Sequence, residues 1–89
     1  ENARVIINER ERLFKELMKI SSITVYPSEA NFLLIKVDDA AALFTSLKES
    51  RILVKSFAKH PQLINCIRVT VGKPEENIQF IDHLKSYYG

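Results

Sequence analysis

The run from Asn31 to Val37 (NFLLIKV) is apolar on both sides of an extended chain. Phe32 and Leu34 fall on one face, Leu33 and Ile35 on the other. A strand of this kind belongs in the middle of a sheet, with something covering each side. That one segment commits the chain to a sheet with flanking strands and a layer packed against it.

The sequence around it supplies both. From Glu1 to about Ile20 the spacing is helical: Ile6, Leu13, Leu17 and Ile20 lie near one stripe, Phe14 beside it and Arg10 as a polar gap. Glu11 with Lys15, and Arg12 with Glu16, are opposite charges four apart and predict ion pairs on the outer face. Ser21 and Ser22 end this helix, and Ile23 to Tyr26 is β-rich until Pro27 and Ser28 interrupt it. Asp38 and Asp39 are N-cap candidates for a helix through Ala40, Leu43, Phe44 and Leu47, ending near Ser50.

Ile52 to Phe57 reads as a third strand, AKHPQL as a loop broken by Pro61, and Cys66 to Val71 as a fourth strand. Gly72 stops that strand. Pro74, at a first helical position, with Glu75 and Glu76 in the first turn, opens a last helix. Its core-facing residues are expected to be Ile78, Ile81 and Leu84, with Tyr88 near its end. The order is helix, strand, strand, helix, strand, strand, helix, with no repeat and no low-complexity linker. The expected architecture is one α+β domain over 1–89, a two-layer sandwich of a mostly antiparallel sheet with helices on one face. A chain of 89 residues, 46% hydrophobic, suffices for one core.

Thirteen basic and eleven acidic residues give a net charge of +2, and they interleave along the chain. No clustered footprint for nucleic acid is present, and no apolar run reaches membrane-spanning length. Cys66 is the single cysteine, which excludes an internal disulfide and suits a reducing, cytoplasmic compartment. Its spacing from His60 and His83 matches no zinc pattern, so no metal is expected. The chain opens at Glu1 without Met or a signal-peptide pattern, in sequence of mid-domain character. The expectation is a piece of a longer protein.

Within Cys66 to Val71, the alternation points Ile67, Val69 and Val71 at the helices and leaves Cys66, Arg68 and Thr70 on the uncovered face. Lys55 sits among apolar neighbours in the same manner. Two readings stay open. These are solvated strand charges that discourage edge association, or they are cations whose partner comes from outside the chain. The planar guanidinium fork suits a carboxylate or a phosphate.

The segments YPSEANFLLIKV, LFTSLKESRILVKSF and NCIRVTVGKPEEN stand in register over nearly the whole chain, from the ERERLFKEL helix onward. Together they resemble the carboxy-terminal small domain of the histidinol-phosphate aminotransferases, which belong to the fold type I, class I/II pyridoxal-phosphate enzymes. The P-S-x-A-N-F, I-L-V-[RK] and R-[VI]-T-[VI]-G-x-P-E-E-N blocks are specific in combination. The resemblance implies that Arg68 binds the substrate carboxylate and can reach its phosphate. It implies that Lys55 occupies a place usually held by arginine followed by aspartate, where this chain has Lys55 and Ser56. A lysine keeps the charge and loses the fork. Asn31 matches the block near the cleft edge, where it is a further candidate for substrate binding or, on the structural reading, an amide that satisfies local backbone groups. Lys73 stands where the family often has a threonine capping the last helix.

The resemblance further implies pyridoxal 5'-phosphate, held as a Schiff base by a lysine in a large domain upstream. That domain would also supply an acid for the pyridine nitrogen and a cup for the phosphate. None of these motifs occurs in this chain, so it is expected to be inactive alone and to bind substrate as part of a longer, homodimeric enzyme. The implied reaction is amino transfer between histidinol phosphate and 2-oxoglutarate in histidine biosynthesis. Another class I/II aminotransferase, or a threonine-phosphate decarboxylase, fits the same blocks. From a different class, a free-standing ferredoxin-like ligand-binding or regulatory module fits the element order alone.

Overall fold

The computed structural model describes residues 3–57 and 60–89. The helix start at positions 1 and 2 and the loop residues 58 and 59 lie outside the described residues. Seven elements follow in chain order: α1 (Ala3–Met18), β1 (Thr24–Tyr26), β2 (Phe32–Lys36), α2 (Ala40–Glu49), β3 (Lys55–Ser56), β4 (Cys66–Thr70) and α3 (Pro74–Tyr88). The strands form one antiparallel sheet in the order β1-β2-β4-β3. β2 is therefore central, as its two apolar faces require.

One face of the sheet carries the core. Leu33, Ile35, Ile67 and Val69 pack with Leu13 and Leu17 of α1, Leu43 and Leu47 of α2, and Phe80, Ile81 and Leu84 of α3. Fully burying an aliphatic or aromatic side chain contributes about 1.5–3 kcal/mol. A surface ion pair contributes about 0–1 kcal/mol. The layers are held by this core and not by the charges around it.

The ion pairs differ from the four-residue spacing. Arg12 pairs with Glu9 at 2.6 Å, and Glu16 takes Lys19 and Lys85 at 2.9 Å each. Lys85 lies on α3, so Glu16 links two helices, which draws it away from Arg12. In α3, Asn77 and Phe80 turn inward with Ile81 and Leu84, whereas Ile78 is 44% exposed. Asn77 is anchored to Gly72 and Glu9, and this fixes the rotation of the helix and turns Ile78 outward. β3 is only two residues long, because its pairing with β4 is confined to Lys55–Arg68 and Ser56–Ile67. Cys66 has the parity of the open face yet is 4% exposed. The turn before it, closed by its N–H donating to the Leu63 carbonyl at 2.9 Å, keeps the loop close to this end of β4.

The caps explain where the helices stop. Asp39 accepts from the Ala42 N–H at 3.0 Å and starts α2. Beyond Ser50, Arg51 adopts a left-handed φ of 63°. Its N–H donates to Lys48 at 2.9 Å, and the Ile52 N–H donates to Leu47 at 2.9 Å, which is the Schellman pairing. At α3, the Lys73 N–H donates to Glu76 Oε1 at 2.9 Å. A lysine side chain has no acceptor with which to return that bond, so the capping box is half made. A Cβ at Gly72 would run into the same Glu76 carboxylate, which is why glycine suits the turn.

Candidate anion-binding site

The register assembles the site. Tyr26 lies opposite Leu34, Leu34 opposite Arg68, and Arg68 opposite Lys55. These side chains form one row across all four strands, on the face turned away from the helices. Directly opposed residues hold their Cβ atoms about 4.5–5.5 Å apart, and like charges so placed destabilise a sheet. No carboxylate among the described residues forms an ion pair with either cation.

Aromatic rings attend both. The Arg68 guanidinium carbon lies 5.2 Å from the centroid of the Phe32 ring. The Lys55 Nζ lies 5.8 Å from that of Phe57, and Phe57 meets His60 edge-on at 6.5 Å. Arg68 is half-buried and Lys55 exposed. The arrangement presents a half-buried fork donor next to an exposed ammonium, suited to an anion with two or more oxygens.

Arg68 and Lys55 are thus brought together, and Asn31 is apart. Its carbonyl accepts from the Val71 N–H at 2.8 Å, three residues or about 10 Å along β4 from Arg68. The Asn31 carboxamide is exposed and hydrogen-bonds to none of the described residues. The backbone, not the amide, satisfies this strand end. A cleft of about 650 Å³ lies elsewhere, between α1 and the Pro27–Glu29 turn, with Leu33 and Phe14 among its walls. It shares no residue with the Arg68 row.

Sequence reasoning missed two contributors. Phe32 was legible as an apolar residue on the second face of β2, but not as the ring beneath Arg68. Asn77, 3% exposed, anchors the β4–α3 turn and had no signal beyond its place in the GKPEEN block. Among the described residues, no group of three or more His, Cys, Asp or Glu is arranged to hold a metal ion. His83 instead meets the Ser46 hydroxyl through Nε2 at 2.9 Å. No described helix is long and apolar enough to cross a membrane.

The chain belongs to the aminotransferase class I and II family, whose sequence model matches residues 1–84. It is 56% identical over 75 residues to histidinol-phosphate aminotransferase 1 of Ralstonia nicotianae, covering 83% of this chain and 20% of that protein. The fold is similar to a decarboxylase from Sulfurospirillum multivorans, at a TM-score of 0.84 and 32% identity over 93% of this chain and 25% of the other. It is equally similar to the histidinol-phosphate aminotransferase from Clostridium acetobutylicum, at a TM-score of 0.84 and 28% identity, covering 93% of this chain and 26% of that one. The chain spans about a fifth to a quarter of the length of these relatives.

Proposed function

We propose that the chain is the carboxy-terminal small domain of a longer pyridoxal 5'-phosphate-dependent aminotransferase. The enzyme exchanges the amino group between histidinol phosphate and 2-oxoglutarate, in the cytoplasm, as a homodimer. The small domain binds one end of the substrate. The observation that carries this reading is the directly opposed, unneutralised pair of Arg68 and Lys55.

The described residues do not fit the cofactor itself. Every described lysine is exposed, whereas a lysine that condenses with a carbonyl needs an enclosed site that lowers its pKa. Pyridoxal phosphate, when bound, supplies the electron sink for the reaction, and in this reading the upstream large domain holds it. What this chain contributes is binding and orientation. The Arg68 fork engages the carboxylate with parallel hydrogen bonds, Lys55 adds charge toward a phosphate, and the sheet keeps both at fixed register.

A threonine-phosphate decarboxylase or another class I/II aminotransferase is the second reading. Similarity to the Sulfurospirillum multivorans decarboxylase favours it, as does Lys55–Ser56 in place of arginine and aspartate. The family match favours either enzyme over a free-standing ferredoxin-like module. The test is Arg68→Ala in the full-length enzyme. Losing a charged bidentate pair in a desolvated cleft costs about 2–5 kcal/mol, or roughly 30- to 5000-fold in kcat/KM. Cofactor content and thermal stability should stay near those of the parent, and Arg68→Lys should recover part of the loss. Near-normal turnover by Arg68→Ala would return Arg68 to a solvated strand charge. Assaying histidinol phosphate beside phosphothreonine separates the two readings.

A further inference from the structure

Phe32 is a large aromatic residue that the core does not use. It lies on the face of β2 opposite Leu33 and Ile35, half-buried, outside the buried cluster and outside the set of side chains packed against it. The ladder pairs Phe32 with Thr70, which makes Arg68, two residues back on β4, its diagonal neighbour. Diagonal neighbours are within reach of long and aromatic side chains. The guanidinium carbon sits 5.2 Å from the ring centroid, inside the range for a cation held over a π face.

We infer that Phe32 is a positioning residue for substrate: its ring carries the Arg68 guanidinium and fixes the direction of the fork. This rests on the anion-binding role of Arg68 proposed above. A guanidinium held over a ring in this way keeps fewer orientations than a free one, and its N–H groups remain available to a ligand. A planar carboxylate can then meet two parallel donors of the restricted fork. Arginine also has high rotamer entropy, and a side chain ordered before the ligand arrives loses less of it on binding. Lys55 offers the contrast. Phe57 attracts its ammonium at 5.8 Å, yet an ammonium has no plane for a ring to align. Discrimination in favour of planar anions therefore falls on the Phe32–Arg68 pair.

The test uses the full-length holoenzyme with ¹⁵N-labelled arginine. In the parent, the Arg68 side-chain Nε–H proton, identified by its loss in Arg68→Ala, should be shifted upfield by the ring current. Phe32→Leu should abolish that shift and raise KM for the carboxylate substrate roughly two- to fivefold, with kcat little changed. Phe32→Tyr, which keeps the π face, should retain both the shift and the KM. An unshifted Arg68 proton in the parent overturns the inference without any variant, so a poorly folding Phe32→Leu does not protect it. A Tyr variant that behaves like Leu, or a Leu variant with parental KM, also overturns it. If Arg68→Ala leaves KM unchanged while the ring-current shift is present, the anion-binding reading fails and this inference fails with it, whereas loss of the shift alone leaves the anion-binding reading standing.

Discussion

Asn77 on α3 donates to the Glu9 carboxylate on α1 at 3.0 Å, across 68 positions of sequence. The same amide donates to the Gly72 carbonyl at 3.0 Å and accepts from the Gly72 N–H at 2.9 Å. Glu9 also receives Arg12, and first Arg12, then Asn77, hold its carboxyl below the usual range. One buried side chain thus fixes the turn after β4, the start of α3 and the approach of α1. Asn77→Ala strands these groups and should cost about 2–3 kcal/mol. Asn77→Asp should be at least as damaging near neutral pH, since a carboxylate would face Glu9 and the Gly72 carbonyl without a donor. Urea unfolding checks this through a lowered midpoint at unchanged slope; a loss below about 0.5 kcal/mol would contradict it.

The two imperfect caps predict gains. Lys73→Thr supplies the missing acceptor at an N-cap whose ψ of 156° is already extended. It should add about 1 kcal/mol. Arg51→Gly removes the penalty of a left-handed φ and should add about 1 kcal/mol. The two sites are on different helices, and the double variant should show nearly additive increases in Tm.

Stability should respond to both ends of the pH scale. Hydrogen bonds from Lys19 and then Lys85 lower the Glu16 pKa from 4.5 to about 2. A lowered folded-state value means the contribution is complete above pH 4.5 and is lost as pH falls toward about 2. Burial first, then Tyr87, Asp38 and Asp39, pushes Tyr88 from 10.0 up to about 12. That contribution is complete below pH 10.0 and is lost as pH rises toward about 12. Glu16→Gln should flatten the acid limb and Tyr88→Phe the alkaline limb of a stability–pH curve. An unchanged limb in either variant refutes the assignment.

Lys55 should matter according to substrate. Lys55→Ala in the full-length enzyme should weaken a phosphorylated substrate more than a purely carboxylate one. Lys55→Arg should tighten the phosphorylated substrate, because a fork replaces a point charge. Equal effects on both substrates would show that Lys55 contributes only general charge.

Much of this was legible in the chain. The two apolar faces of Phe32–Ile35 placed β2 centrally, the alternation of Ile67, Val69 and Val71 oriented β4, and Asp39 and Pro74 marked helix starts. These signals are local, carried by periodicity and caps. What escaped was non-local. Glu16 chose Lys85 because α3 packs beside α1, and Ile78 gave way to Phe80 because Asn77 set the rotation of α3. The candidate site divides in the same way. Arg68 and Lys55 could each be found from its strand, but their direct opposition depends on the β3–β4 register, which no local pattern encodes.

That opposition has a consequence for how the domain responds to ionic strength. Two cations opposed across a ladder, with no ion-paired acid among the described residues, repel each other. The screening length falls from about 8 Å at physiological salt to about 3 Å at 1 M, so added salt damps this repulsion. Salt therefore favours folding of the ligand-free domain while weakening its hold on any anion that would neutralise the pair. Stability and affinity run in opposite directions along the same titration, both traceable to the one pair of side chains.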